Sequence, residues 1–286
     1  MAATNIFKCV GKEIEIVPDS ILEELNISYE ESNKNASEMV ILAKALKEYK
    51  NKKYCKVPFC HTVEAEAFGS TVIFDQKVGN RIGEYKVNDI NLAEDILEID
   101  LNNGRIAEVL KAISILKENE ENVILDITGP FSIATSIMDS QLFYRAIRKD
   151  REKINRLLEK VENSLVKLIL EGVKQNVDVI SFADPTGTID IVGPKIYKEV
   201  AGNSTYNILK RVEERLGKSV IHLCGKTSTS LEVIGLLESE KIKVEDCNYF
   251  DMVKKIKEER KDVNFIGHWC LKLDKFNNEI INCKIK

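Results

Sequence analysis

Three histidines and seven cysteines occur in the 286-residue chain, and each histidine lies within two residues of a cysteine. The groups are Cys60-His61, His222-Leu223-Cys224 and His268-Trp269-Cys270. Imidazole and thiolate together are the ligand set that borderline and soft metals prefer. Seven is an odd count, without the spacing of a small disulfide scaffold. In a reducing compartment such cysteines serve as core residues, nucleophiles or metal ligands.

His222-Leu223-Cys224-Gly225 is the sharpest of the three. In an extended strand, residues two apart point to the same face, so both side chains can reach one ion. The glycine then releases the chain into a loop. A strand can equally bury both residues as packing, so His-x-Cys alone leaves both readings open. The second such pair, at the end of a later strand, favours metal. Zinc held by two thiolates and one imidazole is electron-rich and a poor source of hydroxide. It is well suited to hold a substrate thiol as thiolate, so thiol alkylation is a more natural reading than hydrolysis.

Carboxylates come next. Glu64 and Glu66 lie in the segment PFCHTVEAEAFG, residues 58–69. Asp184 follows a strongly apolar run, where a carboxylate is costly unless paired or set in a cleft. One of Glu64 and Glu66 is expected to orient a ligand or the histidine and the other to be solvated. Glu64, and Asp184 as a substrate-polarising or positioning group, are the expected catalytic residues. Glu245 and Asp246 follow another apolar run and could also approach a metal. Cys9 and Cys55 carry no constellation and read as structural. Trp269, the sole tryptophan, could shield a pocket or pack in the core.

Something must position these groups. Short apolar runs alternate with long amphipathic stretches from residue 56 onward. The runs cover residues 57–59, 71–74, 123–127, 177–182, 220–223, 242–244, 263–266 and 280–285. Helices are expected at 105–117, 150–175, 195–216 and 229–238. The second carries Ile154, Leu157, Leu158, Val161, Leu165, Leu168 and Ile169 at helical spacing. Eight strands mostly separated by helices predict a parallel sheet. No Gly-x-Gly-x-x-Gly turn follows an early strand, which argues against an open dinucleotide-binding sheet. The expected fold is α/β, a single (β/α)8 TIM barrel over 56–286 with a helical N-terminal extension over 1–55, its helices at 21–25 and 36–49. Barrel chemistry sits at the C-terminal strand ends, where Thr128-Gly129-Pro130, Asp184-Pro185-Thr186-Gly187, His222 and Cys224, and Gly267 to Cys270 all fall.

Composition agrees with a globular protein: 44% of residues are hydrophobic and 31% charged. A net charge of −4 gives no basic field for nucleic acid. No apolar run reaches the roughly 18 residues that span a bilayer. The first twenty residues lack the apolar block of a signal peptide, so a cytoplasmic protein without a membrane partner is expected.

The same residues carry a resemblance. The segments PFCHTVEAEAFG (58–69), TGPF (128–131), ADP (183–185), GPK (193–195) and HLCG (222–225) resemble, in that order, the uroporphyrinogen decarboxylase-like superfamily of barrels. Within it the chain looks most like the cobamide-dependent methyltransferases, the methylcobamide:coenzyme M methyltransferase type. The resemblance spans about residues 55–270. It implies a zinc barrel that moves a methyl group between a corrinoid and an acceptor, with His222 and Cys224 as zinc ligands. It also implies a third cysteine near the end of the chain. Cys270 is preferred by its place at a strand end, and Cys283 fits by strand count. Gly129 and Gly225, in the matching segments, are the expected cofactor-binding glycines. The chain lacks the Asp-x-His-x-x-Gly motif that carries cobalamin, so methylcobamide is expected on a separate corrinoid protein docked at the barrel mouth. The small-molecule methyl donor or acceptor is left open. The family's long helix between the last two strands has no counterpart here.

Two other readings compete. One is a metal-independent decarboxylase or lyase acting through Asp184. True uroporphyrinogen decarboxylases hold substrate carboxylates with an arginine-rich N-terminal segment, whereas Arg81 and Arg105 stand isolated here. The other is a non-catalytic zinc- or corrinoid-binding module, for which the shortened C-terminal end argues.

Overall fold

The computed structural model describes residues 16–244, 248–272 and 278–286. Its elements run α1 (Asp19–Leu25), α2 (Tyr29–Lys34), α3 (Ala36–Tyr49), β1 (Cys55–Val57), α4 (Val63–Ala67), β2 (Val72–Ile73), β3 (Arg81–Ile82), α5 (Gly104–Glu118), β4 (Val123–Thr128), α6 (Pro130–Ile137), α7 (Ser140–Lys149), α8 (Arg151–Lys174), β5 (Val179–Ala183), α9 (Ile189–Ile196), α10 (Gly202–Val212), β6 (Val220–Leu223), α11 (Gly225–Val233), β7 (Leu237–Lys243), α12 (Tyr249–Glu259), β8 (Phe265–Gly267) and β9 (Glu279–Ile285). Cys9, Glu245 and Asp246 lie outside the described residues.

Seven strands form one sheet in the order β1-β4-β5-β6-β8-β9-β7, and β2 pairs with β3 separately. The first five are mutually parallel. β9 runs antiparallel to both β8 and β7. Each of the eight apolar runs contains or overlaps a strand, but their assembly differs from the expected barrel. The run at 71–74 supplies β2, which stands outside the main sheet. Among the described residues, β1 and β7 remain the two edges.

The two faces of the sheet explain this arrangement. Leu125, Ile180, Ile221, Phe265 and Cys283 join a large core with helices α3, α5, α6, α8 and α10. Ile124, Val179, Val220, Ile266 and Ile280 alternate with them. They pack against Tyr249, Phe250, Met252, Val253 and Ile256 of α12. The face that would line a barrel thus carries a helix. With both faces covered, β4 is buried at all six positions, as parallel strands between helices require.

Local chemistry sets the element ends. Asn35 caps α3, its side chain accepting from the Ser37 and Glu38 amides. The apolar stripe of α8 is buried as its spacing predicts. The helix expected at 229–238 begins and ends earlier, at Gly225–Val233. Gly235, at φ 79°, turns the chain into β7, whose Leu237 and Ser239 pair with Ile285 and Cys283. The stretch expected as one helix over 195–216 is divided. Gly193 interrupts α9 at φ 76°, and a wider π turn at Tyr197–Ala201 leads into α10.

Asp178 ties the two helical layers together beneath the sheet. Its carboxylate accepts from Lys117 of α5 at 2.8 Å, from Lys254 of α12 at 2.9 Å and from the Val123 amide at 2.8 Å. Burial would raise its pKa, but Lys117 and Lys254 outweigh burial and hold it below the usual aspartate value. A carboxylate with a lowered folded pKa stabilises fully above its unfolded value, and that stability is lost as pH falls through the folded one. Asp178→Asn should therefore cost about 1–3 kcal/mol at neutral pH, read as a lower urea midpoint. Repeating the titration below about pH 4 should shrink the gap from wild type.

Candidate functional site

The C-terminal strand ends carry two groups of polar side chains, one on each face of the sheet. The first group begins at β1. The chain turns through Pro58, after a cis peptide bond, and reaches α4, which buries Glu64 against the end of β4. The Thr128 amide donates to Glu64 Oε1 at 2.8 Å. Glu64 Oε2 is buried without a hydrogen-bond partner. Burial pushes the Glu64 carboxyl up to about 7, the Thr128 hydrogen bonds opposing the shift only in part. Thr128 Oγ1 lies 3.4 Å from His61 Nδ1, and His61 is exposed. A file of polar groups thus runs from solvent to the buried carboxyl.

Register places the rest of this face. Asp126, Ser181, His222, Ile266 and Asn282 stand side by side across five strands. Lys56 reaches Asp126 at 3.5 Å. His222 is only 1% exposed, and its Nε2 lies 2.8 Å from the hydroxyl of Tyr249 on α12. Burial drives the His222 pKa down to about 4, so the ring is neutral at pH 7. The same burial pushes the Tyr249 hydroxyl well above its ordinary range.

The donor types therefore suit zinc, while the His222 ring is engaged by Tyr249. His222 and Cys224 come from one strand end as expected, with Cys224 immediately before α11. Cys270 follows β8 and is half-buried. Among the described residues no three histidine, cysteine or carboxylate side chains gather where one ion could be held. The imidazole nitrogen turned toward α12 faces a phenol instead.

Asp184, expected to polarise substrate or to position its neighbours, is held by the start of α6. It is fully buried. Its Oδ1 accepts from the Ser132 amide at 2.8 Å and the Ser132 hydroxyl at 2.6 Å, and its Oδ2 from the Phe131 amide at 3.1 Å. These are the amides at the start of α6, so the carboxylate caps a helix that its own strand does not belong to. Gly129, an expected cofactor-binding glycine, gives Asp184 its space here. A Cβ on it would meet Asp184 Cβ at 2.3 Å. Gly225 opens α11, and its carbonyl accepts from the Ser228 and Thr229 hydroxyls.

Other sequence candidates resolve into packing. Glu66 pairs with buried Arg105 at 2.6 Å. Arg105 also donates to Thr62 Oγ1 at 2.7 Å and lies over the Phe74 ring. Its signal was present in the sequence, since an arginine sits on the apolar stripe of α5 formed by Ile106, Val109, Leu110 and Ile113. Tyr249 carried no comparable signal. Cys55 is core, and burial pushes its thiol up to about 11. Trp269 packs against both hydrophobic clusters.

The second group lies on the opposite face. Cys283 Sγ is 3.8 Å from His268 Nδ1, and His268 Nε2 is 2.8 Å from Glu232 Oε2. Thus Cys283, the less favoured candidate for a third ligand, neighbours a histidine other than His222.

Known proteins bear on the first group. Methylcobamide:CoM methyltransferase MtbA from Methanosarcina acetivorans is 27% identical over 217 residues, covering 74% of this chain and 64% of the relative. MtaA from Methanosarcina barkeri is 24% identical over 251 residues, covering 82% and 73%. The chain thus spans just under two thirds of the length of MtbA. A solved methyltransferase from Methanosarcina mazei superposes with a TM-score of 0.64 at 22% identity, covering 72% of this chain and 60% of that one, a likeness of fold. No helix among the described residues is long and apolar enough to cross a membrane. The strand ends bearing Glu64, Thr128, Asp184 and His222 all fall within residues 15–269, which match the uroporphyrinogen decarboxylase (URO-D) family, and the chain belongs to that family.

Proposed function

We propose that the chain is a methyltransferase that moves a methyl group between a corrinoid, carried on a separate protein, and a thiol or comparable small acceptor. The observation that carries this reading is the buried Glu64 carboxyl at the end of β4, two strands along the sheet from the His222-x-Cys224 end of β6, in a chain similar to methylcobamide:CoM methyltransferases. A thiol must lose its proton before it attacks a methyl–cobalt bond, because the thiolate is the nucleophile. A carboxyl near 7 is matched to that transfer at neutral pH.

In this reading Glu64 Oε2 takes the acceptor's proton. The Thr128 amide holds Oε1 and so aims the free oxygen, and Thr128 Oγ1 and His61 return the proton to solvent. Lys56, paired with Asp126, sets a positive charge beside the row that includes His222 and favours an anionic acceptor. Asp184 acts by position, fixing the Thr128–Phe131 turn against β5. Gly129 and Gly225 keep side chains out of the two strand ends.

The zinc-dependent form of the proposal assigns the metal to His222, Cys224 and Cys270, where it would hold the acceptor sulfur as thiolate. It requires Tyr249 to give up His222, and no step above passes through it. The Tyr249 contact also favours a second reading, a non-catalytic corrinoid-binding module. Methyl transfer separates the two. The purified chain with methylcobalamin and coenzyme M should accelerate loss of the methyl–cobalt absorbance. Tight corrinoid-protein binding with no turnover on any thiol would establish the second reading instead.

Metal content tests the ligand set. His222→Ala and Cys224→Ser should each carry about one zinc per chain fewer than the wild-type protein. A zinc-free wild type that still transfers methyl groups removes the metal and keeps the enzyme.

Glu64→Gln tests the proton acceptor. Methyl transfer should fall about 100-fold or more, and the pH limb near 7 should disappear. Stability gives an independent reading. A carboxyl whose folded pKa lies above its unfolded one destabilises progressively from about pH 4 to pH 7. Glu64→Gln should therefore gain on wild type in urea midpoint as pH rises through that window. A constant difference from pH 5 to 8 would show that Glu64 does not titrate there.

A further inference from the structure

We propose that Cys283 and His268 form a binding site for a thiophilic divalent cation of the zinc class, on the sheet face opposite His222. Cys283 shares its face with Phe265 and the large helical core, whereas Val220 and the α12 cluster lie behind the sheet. The inference does not depend on methyl transfer.

Geometry is the first argument. Two ligands of one zinc ion, with bonds of about 2.3 Å to sulfur and about 2.0 Å to nitrogen, stand about 3.5 Å apart at the tetrahedral angle. Cys283 Sγ and His268 Nδ1 are 3.8 Å apart, within a small side-chain adjustment of that span.

The second argument is how the ring is held. His268 Nε2 faces Glu232 Oε2 at 2.8 Å. A carboxylate there keeps the proton on Nε2 and leaves the Nδ1 lone pair directed at the thiol. Metal-ligating histidines are held in this way by an outer carboxylate, which fixes the tautomer and the ring orientation. Glu232 is itself held, since its other oxygen accepts from the Ser239 hydroxyl.

The backbone is the third. His268 has φ 67°, a left-handed conformation uncommon outside glycine. It would otherwise continue β8 and project to the α12 side. The turn brings its ring back to α11 and Cys283, and the His268 amide donates to Ser228 Oγ at 2.8 Å. Gly267 leaves the space open. A Cβ there would stand 2.8 Å from Cys283 Sγ and 2.8 Å from Ser228 Oγ. Strained residues persist only where the surroundings over-determine them, and they concentrate at binding sites. Two protein ligands leave coordination positions for water or a small anion.

Cobalt(II) provides a coloured probe. Full-length protein titrated with cobalt should develop a sulfur-to-cobalt charge-transfer band in the near ultraviolet. That band should persist in a His222→Ala/Cys224→Ser double variant and vanish when Cys283→Ser or His268→Ala is added to that double variant. Glu232→Gln should bind cobalt about 10–100-fold more weakly. Because Cys283 is a core position, His268→Ala and Glu232→Gln at the outer end of the array decide the question without it. Loss of the whole band in the double variant overturns the proposal, as does a double-variant band unchanged by His268→Ala.

Discussion

The contact between Tyr249 and His222 is the constraint around which the sheet is organised. A neutral imidazole buried at the centre of five strands must have a hydrogen-bond partner, since leaving one polar group unpaired costs about 1–3 kcal/mol. In an open-mouthed barrel that partner could be water, a metal or substrate. Here it is a phenol delivered by α12, whose apolar side lies on Ile124, Val179, Val220, Ile266 and Ile280. The contact therefore couples the helix to the site. Whatever withdraws Tyr249 must also uncover these five side chains. Each fully buried aliphatic side chain is worth roughly 1.5–3 kcal/mol, so exchange of the phenol for another partner at His222 is a rearrangement of a whole layer and not a rotamer change.

Asp184 plays the corresponding part at the mouth. Three donors from the first turn of α6 converge on it, and Gly129 and Gly187 allow that approach because any side chain at either would overlap the carboxylate. The Thr128 amide is thereby set where it can hold Glu64. A charge buried for architecture in this way lets its neighbour Glu64 be buried for chemistry, with one oxygen satisfied and the other not.

What the sequence revealed and what it concealed follow from the range of the forces involved. Alternation and helical spacing are local, and they located α3, α5, α8 and the parallel strands within a few residues. The family resemblance rested on five short segments; four of them lie at strand ends and build the mouth, and GPK lies within α9. Assembly is not local. Nothing in the letters of residues 249–259 distinguishes a helix on the outside of a barrel from one lying across its inner face, because the same apolar stripe serves both. For Asp184 the letters left two roles open, polarising substrate or positioning neighbours, since a carboxylate after an apolar strand looks the same whether it faces substrate or the amides of another helix. His-x-Cys correctly placed two donors at one strand end, but it could not show which partner would reach the imidazole first.

The two cysteine–histidine pairings expected from sequence are thus recombined by the fold. Proximity along the chain suggested His268 with Cys270, yet the left-handed turn at His268 sends its ring to Cys283. The reason is the antiparallel return of β9. Pairing Phe265 with Cys283 and Gly267 with Ile281 lays the last strand against β8, so that Cys283 sits level with Phe265, three residues before the turn at His268, and on the helical side. A parallel final strand, arriving from a crossover helix as in a complete barrel, would approach β8 from the other direction and change which side chains stand beside His268. The antiparallel direction of β9 thus decides that sulfur and imidazole meet on the face turned away from His222.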